Sequence, residues 1–374
     1  MPLKMRSPLS TALIALAVAA LVWACDEKKS PSESPRGDAS ASTDKYATAD
    51  PKLAKVLQAA ASASASNENG PPPDGIFAPG MGNQRHPSGA PTKVDVVTDG
   101  ADPRVSLDPG ANAPGSSYGP AGLRLGLQMG QRVAMPSIDL VLALGPAKKD
   151  DGGPDWLIAD FKKSSPSKEQ PGQLPAGTDK EIASLEGTQV RMKVTVDGRE
   201  SDLQVMLGKT THADLERLAQ AAAEALVFAM VPLPPKPVGV GGQWIAETRM
   251  MLNAVDTIAY RAYRVKSITG NRVHLSVDVK AYAAGTDVHL QGVPKGSTLQ
   301  QFVAEGQGEL ELVRGEALAR MFDMQHRVVM VFGVDREPSP PGQPGQPPSG
   351  MATAQMQSQA TFVRGEDLRG GPKP

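Results

Sequence analysis

Residues Val190-Arg191-Met192-Lys193-Val194-Thr195-Val196 alternate between apolar and polar side chains, and Asp197-Gly198 separates them from a second run, Arg199 to Leu207. Successive side chains on a strand point to opposite faces, so period two means a strand with one buried face. Asp-Gly between two such runs is the strongest short hairpin signal, because both turn residues need positive φ. This unit commits its part of the chain to antiparallel sheet. The same grammar recurs downstream. Tyr260 to Ile268 and Arg272 to Ala281 flank Thr269-Gly270-Asn271. Gly308 to Val313 turns at Arg314-Gly315-Glu316 into a long strand ending near Phe332. A last strand is expected from Gln355 to Val363, after a Pro-rich loop from Glu337 to Ser349.

One segment breaks the rhythm. Leu215, Leu218, Ala222, Leu226 and Ala229 recur at helical spacing, and Pro232 and Pro234 close the run. Thr211-His212-Ala213-Asp214 before it resembles a weak capping box. Its Ala-rich stripe would let it lie close against a curved sheet. The chain also looks duplicated around this helix. Gly126-Leu127-Gln128-Met129-Gly130-Gln131-Arg132 opens one half and Val238-Gly239-Val240-Gly241-Gly242-Gln243-Trp244 the other. The expected fold is mainly β (α+β): curved antiparallel sheets in two similar halves, residues 121–231 and 232–368, with one amphipathic helix between them. Residues 369–374 form a disordered tail in this scheme.

Upstream, composition changes. From Asp26 to about Pro120 the chain is mostly Ser, Ala, Pro, Gly and Asp, as in Ala59-Ala60-Ala61-Ser62-Ala63-Ser64. Such a segment buries too little apolar surface to offset its ordering entropy. Residues 25–120 are therefore expected to form a mostly disordered tether, with an r.m.s. span of roughly 50–60 Å. Two islands interrupt it. In the first, Asp50 and Pro51 suit the start of a short helix carrying Leu53, Val56 and Leu57; a helix this short is equally readable as transient. The second comprises Ile76-Phe77, Lys93 to Val97 and Pro103 to Leu107, apolar enough to pack along the folded body.

At the N-terminus, Lys4 and Arg6 precede any negative charge, and the uncharged run Ala12 to Ala24 ends at Cys25-Asp26-Glu27. About thirteen apolar residues suit the centre of a signal peptide, whereas a membrane-spanning helix needs about 20. Residues 1–24 are expected to be that signal. Val22-Trp23-Ala24-Cys25 resembles a bacterial lipobox; Val22 and Ala24 match its branched and small positions, and Trp23 departs from it. The resemblance implies cleavage between Ala24 and Cys25, with a diacylglyceryl group on the sulfur and an N-acyl chain on the new terminus. No other cofactor is implied. Cys25 is the only Cys of 374 residues, which does not suit a disulfide-built secreted fold. Ordinary secretion and an uncleaved anchor remain as alternatives. Asp26 resembles the inner-membrane retention signal of enteric lipoproteins, a rule specific to that lineage, so the membrane and the face it occupies stay open.

Two further resemblances concern the rest of the chain. Pro71-Pro72-Pro73-Asp74-Gly75-Ile76-Phe77-Ala78-Pro79-Gly80 and the two Val/Leu patches after it resemble a segment of lipoproteins from gliding bacteria of the myxobacterial group. Leu233-Pro234-Pro235-Lys236-Pro237 with Val238 to Trp244 resembles a signature of uncharacterised β-rich secreted bacterial proteins. By looser analogy, a curved sheet with a helix is similar to the half-barrel carriers that ferry lipids between bacterial membranes.

Several chemistries fail on the residues. Net charge is −1, with no basic stripe for nucleic acid. Gly239-Val240-Gly241-Gly242 lacks the third dinucleotide glycine, the Gly-Lys-Ser/Thr ending and a following helix; strand entry after a Pro-rich turn accounts for it. His86, His212, His274, His289 and His326 make no metal spacing and read as solvated strand residues, although His274 and His289 could meet Asp278 or Asp287 across strands. No Gly-x-Ser-x-Gly elbow occurs. Asp150, Asp151, Asp155 and Asp160 fit no calcium loop. Met192, Met206, Met230, Met250, Met251, Met321, Met324 and Met330 suit either an ordinary core or an apolar-ligand pocket.

The expected function is therefore that of an exported, lipid-anchored envelope protein without catalysis. Its partners are the membrane and either a protein or an apolar ligand, and not nucleic acid. A carrier of lipid in a concave sheet is the alternative, and a hydrolase built from scattered residues is the third.

Overall fold

Alternating strands joined by tight turns must pair with their neighbours, and in this computed structural model they build one sheet. The structure describes residues 75–77, 92–107, 118–130, 133–134, 137–146, 156–168, 176–211, 215–252, 255–284, 297–335 and 349–365. Within them run β1 (Gly75–Phe77), β2 (Lys93–Thr98), β3 (Gly119–Met129), β4 (Val133–Ala134), β5 (Ile138–Pro146), β6 (Trp156–Pro166), α1 (Thr178–Ala183), β7 (Gln189–Val194) and β8 (Glu200–Met206). Then come α2 (Glu216–Ala229), β9 (Gln243–Leu252), β10 (Val255–Thr269), β11 (Arg272–Ala283), β12 (Thr298–Val313), β13 (Met321–Asp335) and β14 (Ser349–Arg364).

These fourteen strands take the order β1-β8-β7-β6-β5-β3-β14-β13-β12-β11-β10-β9-β2, with β4 on β3. All neighbours are antiparallel except β1 and β8. The fold is mainly β, as expected. The two halves, however, are arms of one sheet rather than separate sheets. β14 pairs with β3 from Met356↔Met129 to Arg364↔Ala121 and joins them.

Local chemistry sets the turns. Gly198 takes φ 79 in the β7–β8 turn, and Gly270 takes φ 61 between β10 and β11. A Cβ on Gly198 would lie 2.4 Å from Val231 O and 2.6 Å from Ala317 Cβ, so no other residue fits there. The β12–β13 connection is longer than its Arg314-Gly315-Glu316 turn. Residues 317–320 first follow the end of α2, where Val231 N donates to Ala317 O and Ala319 N to Ala229 O, both at 2.8 Å.

α2 lies on the concave face. Ala219, Ala222, Ala223, Ala225, Leu226, Val227 and Ala229 are buried, on nearly every side of the helix. Small Ala side chains allow that close approach, and elements of both arms touch it, among them β3, β8 and β14. The expected capping box does not form. The N-cap is Leu215, without a side-chain cap, and Thr211 instead donates to Ser184 O at 2.8 Å. The short helix α1, not expected from the sequence, bridges β6 and β7, where Ser164 Oγ donates to Ile182 O at 2.7 Å.

Strand burial follows from this. On β13, Phe322, Met324, His326, Val328, Met330 and Phe332 are buried, while Asp323, Gln325 and Arg327 are exposed. One large core cluster draws on both arms and α2. A smaller one, Ile245, Ile258, Tyr260, Ala262 and Ala284, lies on the convex side.

The tether drawn over residues 25–120 includes folded structure. β2 pairs with β9, Val105 bridges Val238 in antiparallel fashion, Leu107 is 2% exposed, and β3 begins at Gly119. Val94, Val96 and Val105 pack on the core, which holds this island to the sheet. The island helix near Asp50, the tail 369–374 and the signal segment lie outside the described residues. Among the described residues, no helix is long and apolar enough to cross a membrane.

Candidate functional site

β8 lies next to one end of the sheet order and β9 next to the other. They are not hydrogen-bonded neighbours, yet their side chains meet. Glu200, at the start of β8, pairs with Arg261 from the inward row of β10. The guanidinium also donates to Thr248 Oγ1 of β9 at 2.9 Å and to the carbonyls of Val227 and Met230 at the C-terminal end of α2, at 3.1 and 3.2 Å. Thr248 Oγ1 donates to Glu200 Oε1 at 3.4 Å and shares a 3.0 Å hydrogen bond with Thr92 Oγ1, beside β2. Arg199 Nη1 donates to Thr92 O at 3.3 Å. The unclosed sheet is thus clasped by side chains across its margins, with the helix C-terminus held in the same grip. A cation there also complements the negative end of the helix dipole.

The pair is fully dry, with side-chain exposures of 0% for Arg261 and 5% for Glu200. Burial pushes the Glu200 carboxyl above its ordinary value, and the adjacent guanidinium opposes that push. Burial acts to lower the Arg261 pKa, but the carboxylate and Tyr263 outweigh it and the net shift is upward. An ionised pair is the arrangement these contacts favour, since a guanidinium keeps its proton. Tyr263 is pushed up to about 12 by burial. Its ring stacks on Trp244 with centroids 5.2 Å apart, and Trp244 Nε1 donates to Pro232 O at 2.8 Å. Among the described residues Glu200 Oε2 and Arg261 Nε have no partner. Chemically the cluster is a fastening: its charged pair is buried and its hydrogen bonds tie β8, β9, β10 and the end of α2 together.

A second carboxylate organises the convex face. Glu311, side chain 5% exposed, receives Arg320 Nη1 at 3.0 Å, His274 Nε2 at 3.1 Å and Arg272 Nη1 at 3.5 Å. His274 thus meets Glu311 rather than Asp278; His289 and Asp287 lie outside the described residues. His326 departs from the expected solvated position. It is 7% exposed, its ring lies 5.8 Å from Phe228 of α2, Nε2 has no partner among the described residues, and burial lowers its pKa to about 4. Asp160 pairs with Lys162 at 3.3 Å, while Asp150, Asp151 and Asp155 lie outside the described residues, as do His86 and His212. Among the described residues, no three His, Cys, Asp or Glu side chains are grouped to hold a metal ion.

The glycines at 239–242 serve backbone contact. Gly239 N donates to Asp99 O at 2.8 Å, Ala101 N donates to Val240 O at 2.9 Å, and a Cβ on Gly239 would sit 1.7 Å from Ala101 O. The chain's own segment occupies the place a phosphate would need. Of the methionines, Met192, Met230, Met250, Met324 and Met330 are buried in the core, whereas Met321 is 45% exposed. Ala24 and Cys25 lie outside the described residues.

Neither Glu200 nor Arg261 was singled out in the sequence, because they are 61 positions apart. One signal was present. On β10, Ala259, Arg261, Tyr263 and Val265 share the inward phase, and a charge in that row demands a partner. His326 carries the same signal on β13. Comparison with protein-family models, with curated proteins and with solved structures gave no match.

Proposed function

We propose that this protein is a lipid-anchored component of a bacterial envelope, exported by residues 1–24 and held to a membrane through Cys25. Its β-rich body acts there as a non-enzymatic binding or structural module. The observation that carries this is the junction Val22-Trp23-Ala24-Cys25, which ends an apolar run behind Lys4 and Arg6 and holds the chain's one thiol. With cleavage before Cys25, the sulfur bears diacylglycerol and the new amine an acyl chain. Each buried acyl CH₂ contributes about 0.8 kcal/mol, so two or three chains hold firmly. The body then stands off the bilayer on the Ser/Ala/Pro/Gly-rich stretch.

The packing of α2 favours a filled module over a lipid carrier. A carrier of this shape would have to displace a helix whose last two turns are buried and whose C-terminal carbonyls are bonded to Arg261. The test is Cys25→Ala in the native host. The variant is expected in the soluble envelope fraction, and wild-type levels in the membrane fraction would refute the anchor.

A further inference from the structure

The hydrogen bonds of the clasp leave three polar atoms over. Arg261 Nη1 donates to the Val227 and Met230 carbonyls, and Nη2 to Glu200 Oε1 and Thr248 Oγ1. Arg261 Nε makes no hydrogen bond among the described residues, nor does Glu200 Oε2, nor the Tyr263 hydroxyl. All three residues are buried. They also lie together. Nε and Oε2 are each one covalent angle away from the Nη2 and Oε1 atoms that join the pair. Tyr263 follows Arg261 by two positions on the inward row of β10, and the two side chains are near enough to shift each other's proton affinity. Buried polar atoms are nearly always hydrogen-bonded, because a bare one has lost its hydration without replacement. Three such atoms in one buried cluster call for a shared partner.

We propose that the clasp binds one internal water molecule, bridging Glu200 Oε2, Arg261 Nε and Tyr263 Oη. The chemistry of the three atoms selects the ligand. Nε is a donor only, a carboxylate oxygen is an acceptor only, and a phenol hydroxyl serves as either. Water accepts from the first, donates to the second and exchanges one hydrogen bond with the third. Three bonds are what a buried water typically makes. An ion does not suit the set: an anion would meet the Glu200 carboxylate, and a cation the guanidinium. The pair is closed to bulk solvent, which is the setting in which a single enclosed molecule is held for long. Its bonds add a link between β8 and β10 to the direct ion pair, and they give the Glu200 carboxylate a second donor against the burial that raises its proton affinity. This site is independent of how the chain is anchored.

The test is nuclear magnetic resonance on the full-length Cys25→Ala chain. The Arg261 Nε–H signal, identified by its loss in Glu200→Leu/Arg261→Met, should show a direct-contact cross-peak to water. Water-oxygen relaxation dispersion counts molecules held longer than the protein takes to tumble, and it should find one fewer in that double variant than in the parent. A third measurement is the urea midpoint of Tyr263→Phe. It should fall, because the water loses a partner. Removing a hydroxyl that had no partner would instead leave the midpoint unchanged or raise it. An Arg261 Nε–H signal without water contact would overturn the proposal, since Nε would then pair directly with Glu200 Oε2. An equal count of long-lived waters in parent and double variant would also overturn it, and so would an unchanged or raised midpoint in Tyr263→Phe. The first measurement needs no variant to hold its structure except for assignment, so a poorly folded variant leaves the proposal open to refutation on the parent chain.

Discussion

Replacing Arg261 with Met should unclasp the sheet. Four acceptors lose the guanidinium as a donor at once: Glu200 Oε1, Thr248 Oγ1 and the Val227 and Met230 carbonyls. The larger cost is the Glu200 carboxylate, left buried and unpaired. Removing one partner of a buried pair typically costs about 3–5 kcal/mol. That cost should depend on pH with a defined sign. Without Arg261 the main opposition to burial is gone, with only a backbone hydrogen bond and Thr248 still favouring the carboxylate, so the folded state holds its carboxyl protonated at a pH where the unfolded chain has released the proton. Stability of Arg261→Met is then greatest below the unfolded value near 4.5 and falls by about 1.4 kcal/mol per pH unit until the folded pKa is passed. Glu200→Gln keeps an acceptor for the guanidinium but strands its charge. It should cost about 3 kcal/mol with little pH dependence of its own. Glu200→Leu/Arg261→Met removes both charges and should recover most of the loss, to within about 1–2 kcal/mol of the parent. Urea unfolding of the full-length Cys25→Ala chain at pH 5 and pH 8 measures all four proteins. A single Arg261→Met variant within about 1 kcal/mol of the parent at pH 8, or a double variant as unstable as the two singles added, would refute the clasp.

His326 should make the fold acid-sensitive through a different route. Its ring faces Phe228 on α2, Gly306 on β12 and Ser358 on β14, none of them charged, while Glu224 lies one helical turn from Phe228. Because the folded pKa of about 4 lies below the ordinary 6.5, its contribution is complete above pH 6.5 and is lost as pH falls through 4, for a total of about 3 kcal/mol. His326→Leu should flatten that part of the stability–pH curve; an unchanged curve would place the acid sensitivity elsewhere. Gly198→Ala combines positive φ with a Cβ 2.4 Å from Val231 O and should destabilise by about 3 kcal/mol in urea melts, where a loss under about 1 kcal/mol would contradict the close approach. Leu226→Ala, which hollows the contact between α2 and the sheet, should cost about 2–5 kcal/mol; a surface-like value under about 0.5 kcal/mol would mean that the helix does not fill the concave face.

The parts of this fold legible in the sequence are those decided by near neighbours. Asp197-Gly198 and Gly270-Asn271 fix hairpins because turn geometry acts over a few residues, and the apolar stripe from Leu218 to Ala229 marks α2 for the same reason. The join of the two arms was not legible. It depends on β14 meeting β3 across more than 200 residues, and many alternating strands would satisfy the same pattern. The clasp lies between these cases. Arg261 and His326 each break the apolar phase of a strand, which announces an unusual interior residue but does not name its partner. The island at residues 93–107 shows how few apolar side chains move a segment from tether to sheet: Val94, Val96, Val105 and Leu107 suffice. The anchor proposed at Cys25 is the reverse case: the residues that suggest it, Val22-Trp23-Ala24-Cys25, are adjacent in sequence, so that reading needs no tertiary contact.

Intact-mass analysis of the mature N-terminal peptide, released from native membranes, addresses the anchor directly. The expected species begins at Cys25 and carries diacylglyceryl on sulfur and an acyl chain on the amine. An N-terminus elsewhere, or an unmodified Cys25 sulfur, would contradict the placement of this protein on a membrane by its lipid.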